Sequence, residues 1–168
     1  PDKYYKSIFA IDYKKLKKSK IKCLLIDLDN TIAPPSVKTP TKKVIDLFEE
    51  LKDMGFKIII FANCPRNRVE EFKKVLGVDA SALSFKPNKD KYLRIMEIYK
   101  YKPQDICAIG DQLVTDVYGA NKLDILSILV NPVSTKDNTV GKVTRKLENQ
   151  IINKLKKNEL FIRGRYYE

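Results

Sequence analysis

The feature that most constrains the fold of this chain is a set of four short apolar runs in which polar and apolar residues do not alternate. These runs cover residues 21–27, 56–62, 106–110 and 125–130, and helical patterns lie between them. Uniform apolar runs of this length are typical of strands that are buried on both faces of a parallel sheet. Their alternation with helices predicts a doubly wound α/β fold, with one parallel sheet and helices on both of its faces.

Local signals predict where some of the other elements begin. Thr39 followed by Pro40 predicts a helix start, with Thr39 as the N-cap and Pro40 at the first helical position. Asn88 is expected to cap a later helix, and a weak apolar stretch at residues 82–83 predicts a short strand before it.

The last segment, at about residues 140–160, has the pattern of a basic amphipathic helix. Its apolar stripe is predicted to consist of Val143, Leu147, Ile151 and Leu155. Because no linker-like run interrupts the 168 residues, we expect a single domain over residues 1–168. Its catalytic core is expected at about residues 21–130, with the basic helix appended.

Composition restricts the chemistry that is available. The chain contains no histidine, which excludes Ser-His-Asp and Cys-His catalysis and leaves acid/base chemistry to carboxylates, Lys, Tyr or Cys. Cys23, Cys64 and Cys107 are far apart and form no metal-binding pair, so they argue for a reducing compartment and against a zinc site. We therefore expect a cytoplasmic protein.

Charge suggests possible classes of partner. The 33 Lys and Arg residues exceed the 21 Asp and Glu residues, for a formal net charge of +12. Such a charge attracts polyanions such as nucleic acid or an anionic lipid surface, although lysines scattered over solvated faces are the competing interpretation. No apolar run approaches the roughly 18 residues of a membrane-spanning helix, so any membrane association is expected to be peripheral.

Polar residues directly follow the predicted strands, where ligands bind in open parallel sheets. They are Asp27, Asp29 and Thr31 after the first strand, Asn63 after the second, Lys86 after the short strand, and Asp111 and Asp116 after the fourth. Carboxylates crowded at one edge would repel each other unless cations balance them. One Mg²⁺ and Lys86 would do so if crowding by like charges keeps a proton on Asp29, and a site with oxygen ligands alone suits Mg²⁺.

These residues resemble the four motifs of the haloacid dehalogenase superfamily of phosphohydrolases. The motifs occur in order as DLDNT at 27–31, Asn63, Lys86 and GDQLVTD at 110–116. A lone DxDxT is a weak signal, but four ordered motifs that each follow the expected element are specific. The resemblance implies a Mg²⁺-dependent phosphatase that forms an aspartyl-phosphate intermediate.

The resemblance also implies a role for each residue. Asp27 would be the nucleophile, and Asp29 would protonate the leaving oxygen and later accept a proton from water. Mg²⁺ would be held by Asp27, the main-chain carbonyl of Asp29 and Asp111, with Asp116 behind these ligands. Three residues would bind the substrate phosphate: Asn63, Lys86 and Thr31.

Two residues near the second motif need a separate interpretation: Ala62 departs from the family pattern, and Cys64 is an alternative candidate nucleophile. The family usually places Ser or Thr where this chain has Ala62, and the missing hydrogen bond to a charged group would be worth roughly 1.5–3 kcal/mol. Asn63 or a backbone N–H is a candidate substitute. Cys64 lies beside the site but has no histidine partner, so we interpret it as a packing residue.

The intervals between motifs are too short for a cap domain, as in the capless subfamily III. Residues 32–56 hold one predicted helix, and residues 63–86 hold one helix and the short strand. An uncapped site suits a large substrate whose phosphate is presented from a surface or polymer, because small metabolites are usually enclosed.

A closer resemblance is to the YqeG-like subgroup, which is related to the mitochondrial phosphatidylglycerophosphate phosphatase. It rests on residues 1–8, residues 110–121 and Thr144-Arg145. It implies dephosphorylation of phosphatidylglycerophosphate, a step of phospholipid biosynthesis, and an anionic phospholipid as partner. A docking surface would consist of Tyr4, Tyr5, Ile8 and Phe9 with the basic helix, or else these apolar residues pack on the domain itself.

Two alternatives remain open from the residues alone. One is a phosphatase of this superfamily that acts on a soluble or nucleic-acid phosphate. The other is a basic RNA- or ribosome-binding protein with a vestigial site, which the intact motif carboxylates disfavour.

Overall fold

One sheet of six parallel strands forms the centre of the described structure. The computed structural model describes residues 1–134 and 139–168, and the side chains of residues 1–134 and 145–168. The strands are β1 (Lys3–Tyr5), β2 (Cys23–Ile26), β3 (Lys57–Phe61), β4 (Asp79–Ser81), β5 (Ile106–Gly110) and β6 (Leu126–Val130). Their order across the sheet is β1-β6-β5-β2-β3-β4: after β2 the chain adds β3 and β4 on one side and then β5 and β6 on the other, while the N-terminal β1 lies outside β6.

Six α-helices connect or follow these strands in the described residues. They are α1 (Tyr13–Lys18), α2 (Lys42–Asp53), α3 (Arg66–Leu76), α4 (Asp90–Tyr99), α5 (Tyr118–Asn121) and α6 (Thr139–Lys157). Short 3₁₀ turns occur at Ile8–Ala10 and Pro103–Asp105, and a π-helical turn at Leu113–Val117 leads into α5.

The two faces of the sheet explain why the strands show no alternation. Leu24 and Ile26 of β2 pack into the cluster that contains the buried faces of α2 and α3. Cys23 and Leu25 point the other way, into the cluster with α4 and α5. Because successive side chains on a strand point to opposite faces and both faces are covered, every position of β2 must be apolar. The predicted doubly wound fold is confirmed.

The intervals between the motifs contain no cap domain in the described structure. Only α2 lies between β2 and β3, and only α3 and β4 lie between β3 and Lys86. Among the helices of the described residues, none combines the length and the apolar character that a membrane span requires.

The strand β1 was not predicted, and it changes the interpretation of the N-terminal residues. It pairs with β6 at one edge of the sheet, and Tyr4 exchanges two main-chain hydrogen bonds with Tyr167, at 2.8 and 3.0 Å. Tyr4, Tyr5 and Ile8 are buried, whereas Phe9 is 38% exposed. For Tyr4, Tyr5 and Ile8, packing on the domain therefore prevails over a docking surface.

Two predicted element starts are wrong by a few residues. Helix α2 is capped by Thr41 rather than Thr39, because the Thr41 hydroxyl accepts a hydrogen bond from the Val44 amide at 3.4 Å. Strand β4 lies at Asp79–Ser81, three residues before the predicted position, where it pairs with β3.

At the start of α4, the expected cap is displaced by one residue. Lys89 occupies the N-cap position, while the side chain of Asn88 accepts a hydrogen bond from the Asp90 amide at 3.0 Å. Asn88 thus performs the expected function from one position further out.

The predicted apolar stripe of α6 is also partly wrong. Leu147 and Ile151 are exposed, whereas Glu148 and Ile152 are buried and Leu155 packs beside them. The side chain of Val143 lies outside the described residues. The helix is therefore rotated by about one residue, some 100°, from the orientation that the apolar pattern alone predicts.

Candidate active site

Three carboxylates meet at the carboxyl edge of the central strands. Asp27 follows β2, Asp111 follows β5, and Asp116 lies in the π-helical turn after it. One oxygen of each lies within 4.8 Å of the others, and Asp111 and Asp116 are buried. A set of oxygen donors of this kind matches a hard divalent cation such as Mg²⁺. Asp27 and Asp111 were expected together; Asp116, expected behind the ligands, lies among them.

Lys86 joins two of these carboxylates. Its ammonium group donates to Asp27 Oδ1 and to Asp116 Oδ1, both at 2.6 Å, and the lysine side chain is buried. The amide of Asn63 holds the main chain of this lysine: its Oδ1 accepts from the Lys86 N–H at 2.8 Å, and its Nδ2 donates to the Lys86 carbonyl at 3.1 Å. Asn63 was expected to bind phosphate, which stays a prediction; its observed contacts position Lys86.

Gly110 makes room for Asp116. A Cβ atom on Gly110 would lie 2.1 Å from the Asp116 carboxyl carbon, which is far inside any contact distance. Asp116 Oδ2 also accepts a hydrogen bond from the Gln112 amide at 3.1 Å. The glycine at the end of β5 therefore allows the turn to fold back over the strand and bring Asp116 to Lys86.

The buried charges do not balance in the absence of a cation. Burial raises the pKa of Asp27 to about 8, with Lys86 opposing the rise and Asp116 and Asp111 adding to it. Burial likewise raises the pKa of Asp111 to about 7, against the opposing effect of Arg145. Burial alone would lower the pKa of Lys86, but Asp116 and Asp27 more than offset this and raise it. An added cation would favour the ionised carboxylates.

Asp111 is held from two sides. The hydroxyl of Thr31, which is buried, donates to Asp111 Oδ1 at 3.1 Å. The guanidinium of Arg145 donates to Asp111 Oδ2 and, at 3.3 Å, to the Asp111 carbonyl. Thr31 was expected to bind substrate, which stays a prediction; the contact that the structure gives it orients a carboxylate of the cluster.

Arg145 is fixed in turn by Glu148, one turn further along α6. The two side chains form an ion pair at 3.0 Å, and the buried Glu148 accepts a hydrogen bond from the Leu113 amide at the start of the π-helical turn. The sequence drew attention to Arg145 only as part of a subgroup signature, and Glu148 was missed. Their i, i+3 spacing is compatible with a shared helix face, but that spacing alone is a weak signal.

Asp29 lies outside the carboxylate cluster. Its Oδ1 accepts from Arg68 Nε at 3.1 Å, and the same guanidinium donates to the main-chain carbonyls of Val37 and, at 3.1 Å, Pro34. The expectation that Asp29 is crowded by like charges is therefore wrong, because its carboxylate faces a cation. Arg68 also ties the loop after the first motif to α3.

Ala62 and Cys64 are both buried beside the site. Ala62 bonds through its main chain to Ser81 and Ser84, each at 3.0 Å. Burial, with smaller contributions from the nearby Asp29 and Asp27, raises the pKa of the Cys64 thiol to about 12. A thiol that keeps its proton is a poor nucleophile, which agrees with the interpretation of Cys64 as a packing residue.

Comparison with known proteins decides the family. Residues 35–124 match the haloacid dehalogenase-like hydrolases, a region that includes Asn63, Lys86, Asp111 and Asp116. The chain belongs to this family. The "Probable phosphatase YqeG" of Bacillus subtilis is 36% identical over 157 residues, which cover 94% of this chain and 91% of that protein. The expected phosphatase of the haloacid dehalogenase family is thereby confirmed.

Solved structures show the same fold at low sequence identity. The cobalt-bound deoxy-D-mannose-octulosonate 8-phosphate phosphatase of Haemophilus influenzae has a TM-score of 0.52 and 14% identity, covering 86% of this chain and 95% of that one. A p-nitrophenyl phosphatase from Archaeoglobus fulgidus has a TM-score of 0.51 and 14% identity, covering 75% and 92%. These two structures support the fold of this chain.

Proposed function

We propose that this protein is a Mg²⁺-dependent phosphatase that works through an aspartyl-phosphate intermediate on phosphatidylglycerophosphate. The observation that carries the catalytic part is the buried cluster of Asp27, Asp111 and Asp116 with Lys86 bridging two of its members. Phosphoryl transfer depends mostly on positioning and on charge neutralisation, and this cluster supports both.

Asp27 is the proposed nucleophile, because it lies at the end of the central strand and is oriented by Lys86 at 2.6 Å. An Asp27 oxygen forms a bond to phosphorus while the bond from phosphorus to the leaving alcohol oxygen breaks, and Asp29 gives that oxygen a proton. Water then attacks the phosphorus, Asp29 takes a proton from the water, and the Asp27–phosphorus bond breaks to release inorganic phosphate.

The donor set fits the proposed Mg²⁺. The carboxylates of Asp27, Asp111 and Asp116 are the side-chain candidates, with the main-chain carbonyl of Asp29 as the further ligand that the family resemblance implies. A bound Mg²⁺ would neutralise charge on the phosphoryl oxygens and hold them in position. Among the described residues, the four carboxylates of Asp27, Asp111, Asp116 and Glu148 outnumber the two cations of Lys86 and Arg145, and a divalent cation would offset that excess before a phosphate dianion enters.

Arg68 positions Asp29 for the proposed proton transfers. Its guanidinium donates to Asp29 Oδ1 at 3.1 Å and to the carbonyls of Pro34 and Val37 in the loop after the first motif. These contacts tie the orientation of the Asp29 side chain to this loop and to α3.

The lipid substrate is what the subgroup resemblance of the sequence implies, and the open site is compatible with it. No cap covers the carboxyl edge in the described residues, so a phosphate can reach Asp27 while the rest of its molecule stays outside. The net charge of +12 favours a substrate within an anionic surface.

The test compares phosphate release from two substrates, each with Mg²⁺ and with EDTA. Phosphatidylglycerophosphate in anionic vesicles should be hydrolysed faster than p-nitrophenyl phosphate, and Mg²⁺ should be needed for both. Asp27→Asn should lower both rates by roughly 10⁴-fold, while Asp46→Asn, an exposed acid on α2, should lower neither. Faster hydrolysis of the soluble ester would sink the lipid assignment, and no hydrolysis of either ester would sink the catalytic proposal and favour a vestigial site.

A further inference from the structure

Four large apolar side chains are exposed at the edge of the sheet where the site opens. They belong to Leu83, Phe85, Tyr118 and Val133, which are 39%, 64%, 56% and 41% exposed. We call these four residues the apolar rim. Isolated exposed apolar residues are ordinary, but a group of them at one functional opening indicates an interaction surface.

Two rim residues are attached to the site through Lys86. Phe85 directly precedes this lysine. Tyr118 follows Asp116 by two residues, and Asp116 forms an ion pair with Lys86 at 2.6 Å. Lys122 strengthens the link, because its ammonium group donates to the Pro87 carbonyl at 3.2 Å and lies 5.4 Å from the centre of the Tyr118 ring.

The other two rim residues are attached to the first and second motifs. The amide of Val133 donates to the carbonyl of Asn30 at 2.9 Å, within the DLDNT loop. The amide of Leu83 donates to the carbonyl of Cys64 at 3.1 Å, next to Asn63. Each of the four motif regions therefore holds one rim residue beside the site.

The backbone holds two rim residues in an uncommon conformation. Leu83 has a φ of 48° and Phe85 a φ of 53°, in the left-handed region that bulky residues rarely adopt. Such strain persists where the surrounding structure imposes it, and it concentrates at binding and catalytic sites. Here it coincides with side chains that gain little burial in the protein itself.

Exposed cations occur at the same edge of the sheet as the rim. The loops and helix starts there carry Lys38, Arg66 and Lys89, with Asp90 as a neighbouring carboxylate, and the side chain of Lys122 reaches the Pro87 carbonyl from the end of α5. The loops at the opposite edge of the sheet differ: in the described structure, the large apolar residues of 19–22, 54–56, 77–78, 100–102 and 122–125 are buried or half-buried. In these loops, exposed large apolar residues therefore distinguish the catalytic edge, whereas exposed lysines such as Lys20, Lys22 and Lys102 also occur at the opposite edge.

We propose that the apolar rim and its cations dock this protein on an anionic membrane surface with the active site facing the lipid. This proposal rests on the proposed lipid phosphatase function and deepens it. Phe85 and Tyr118 have the aromatic rings that favour the interface between headgroups and acyl chains, and the cations match anionic headgroups. A phosphomonoester headgroup then reaches Asp27 without its lipid leaving the bilayer. The docking surface lies at this edge, and not at Tyr4, Tyr5 and Ile8.

The test measures binding to vesicles without any substrate. Full-length protein is mixed with vesicles of equal parts phosphatidylglycerol and phosphatidylcholine, and the bound fraction is measured by flotation. Phe85→Ser with Tyr118→Ser should lower the partition coefficient about 100-fold, since burial of each large side chain is worth about tenfold. The matched control is Leu93→Ser with Ile98→Ser, two apolar residues of α4 that are similarly exposed but lie outside the rim, and it should stay within about twofold of the parent.

A second rim pair, Leu83→Ser with Val133→Ser, tests the same surface through other side chains, so that a local folding defect in the first pair is not mistaken for lost binding. Melting temperatures are compared for all variants. Parent-like binding by both folded rim pairs, or an equal loss in the control pair, would overturn the docking face. The phosphate-release comparison separates this result from the function. A protein that prefers the soluble ester but binds vesicles through the rim refutes the substrate alone, whereas lipid preference with unchanged binding by the rim pairs refutes the docking face alone.

Discussion

Among the side chains that the structure describes, two cations contact the carboxylate cluster, and they come from different parts of the fold. Lys86 comes from the loop after β4, is almost completely buried, and contacts Asp27 and Asp116. Arg145 comes from α6, beyond the parallel sheet, and contacts Asp111 and Glu148. The lysine is fixed through its main chain by Asn63, while the arginine depends on the docking of a helix.

The two cations therefore differ in how directly they contact the reacting group. The lysine pairs with the nucleophile itself, so its loss affects both the reaction and the balance of buried charge. The arginine pairs with one carboxylate of the proposed metal site from the outside, so it adjusts the position of Asp111 and couples the C-terminal helix to the site. Four predictions follow this contrast from its largest consequence to its smallest.

Lys86→Met should produce the largest loss. It removes the shared partner of two buried carboxylates, so we expect activity to fall about 10³-fold and the free energy of unfolding to fall by about 3 kcal/mol. The checks are phosphate release and denaturant unfolding of the ion-free protein. Lys14→Met, an exposed lysine of α1, is the matched control and should change neither quantity. A Lys86→Met protein with parent-like activity would remove this lysine from the centre of the site.

Arg145→Met should have an intermediate effect. Glu148 stays buried without this partner, and Asp111 loses one of the two side-chain donors that the described residues give it, so we expect a loss of about 2 kcal/mol in stability and a 10- to 100-fold loss of activity. Lys146→Met, the exposed neighbour on α6, is the control. Equal losses of activity and stability in Arg145→Met and Lys86→Met would contradict the proposed difference between the two cations.

Thr31→Val tests the other donor of Asp111 with little change of volume. Loss of one hydrogen bond to a carboxylate should lower stability by about 1.5 kcal/mol and weaken apparent Mg²⁺ affinity several-fold. Calorimetric titration with Mg²⁺ gives the second quantity. Unchanged Mg²⁺ affinity, together with weaker binding of inorganic phosphate, would instead support the original prediction that Thr31 binds substrate.

The pH dependence of Mg²⁺ stabilisation should be the smallest effect. Because the folded-state pKa values of Asp27 and Asp111 are raised, to about 8 and about 7, their protonated forms stabilise the ion-free fold. That contribution is present below the ordinary carboxyl pKa and is lost as pH rises through about 7 to 8. Mg²⁺ requires the ionised forms, so it should raise the melting temperature by a few degrees more at about pH 8 than at about pH 5.5. An equal rise at both values would contradict the unbalanced charge of the cluster.

Much of the centre could be predicted because its signals are local. Each buried strand is a continuous apolar run, and the motif residues directly follow strand ends, so their meeting at one edge follows from parallel topology. Asp27, Lys86, Asp111 and Asp116 are brought together in this way. The direction of Asp29 could not be predicted, because it depends on Arg68 from α3.

The terminal segments were harder to predict because their partners are distant in the sequence. Strand β1 is three residues long and is recognised by its pairing with β6 and Tyr167. The orientation of α6 depends on Glu148, a buried charge that an apolar pattern cannot identify. Its stabilising contacts, with Arg145 and the Leu113 amide, exist only once the helix is docked.

The two margins of the sheet bear on how the protein behaves in concentrated solution. An open strand margin offers main-chain groups to a second molecule, and long flat margins are therefore sites of aggregation. Here β1 is bonded on its outer side by Tyr167, and β4 has only three residues, one of which, Asp79, is paired with Lys57 at 2.5 Å. Neither margin provides a long template for pairing, so intermolecular sheet extension is disfavoured even when many copies crowd onto the same surface.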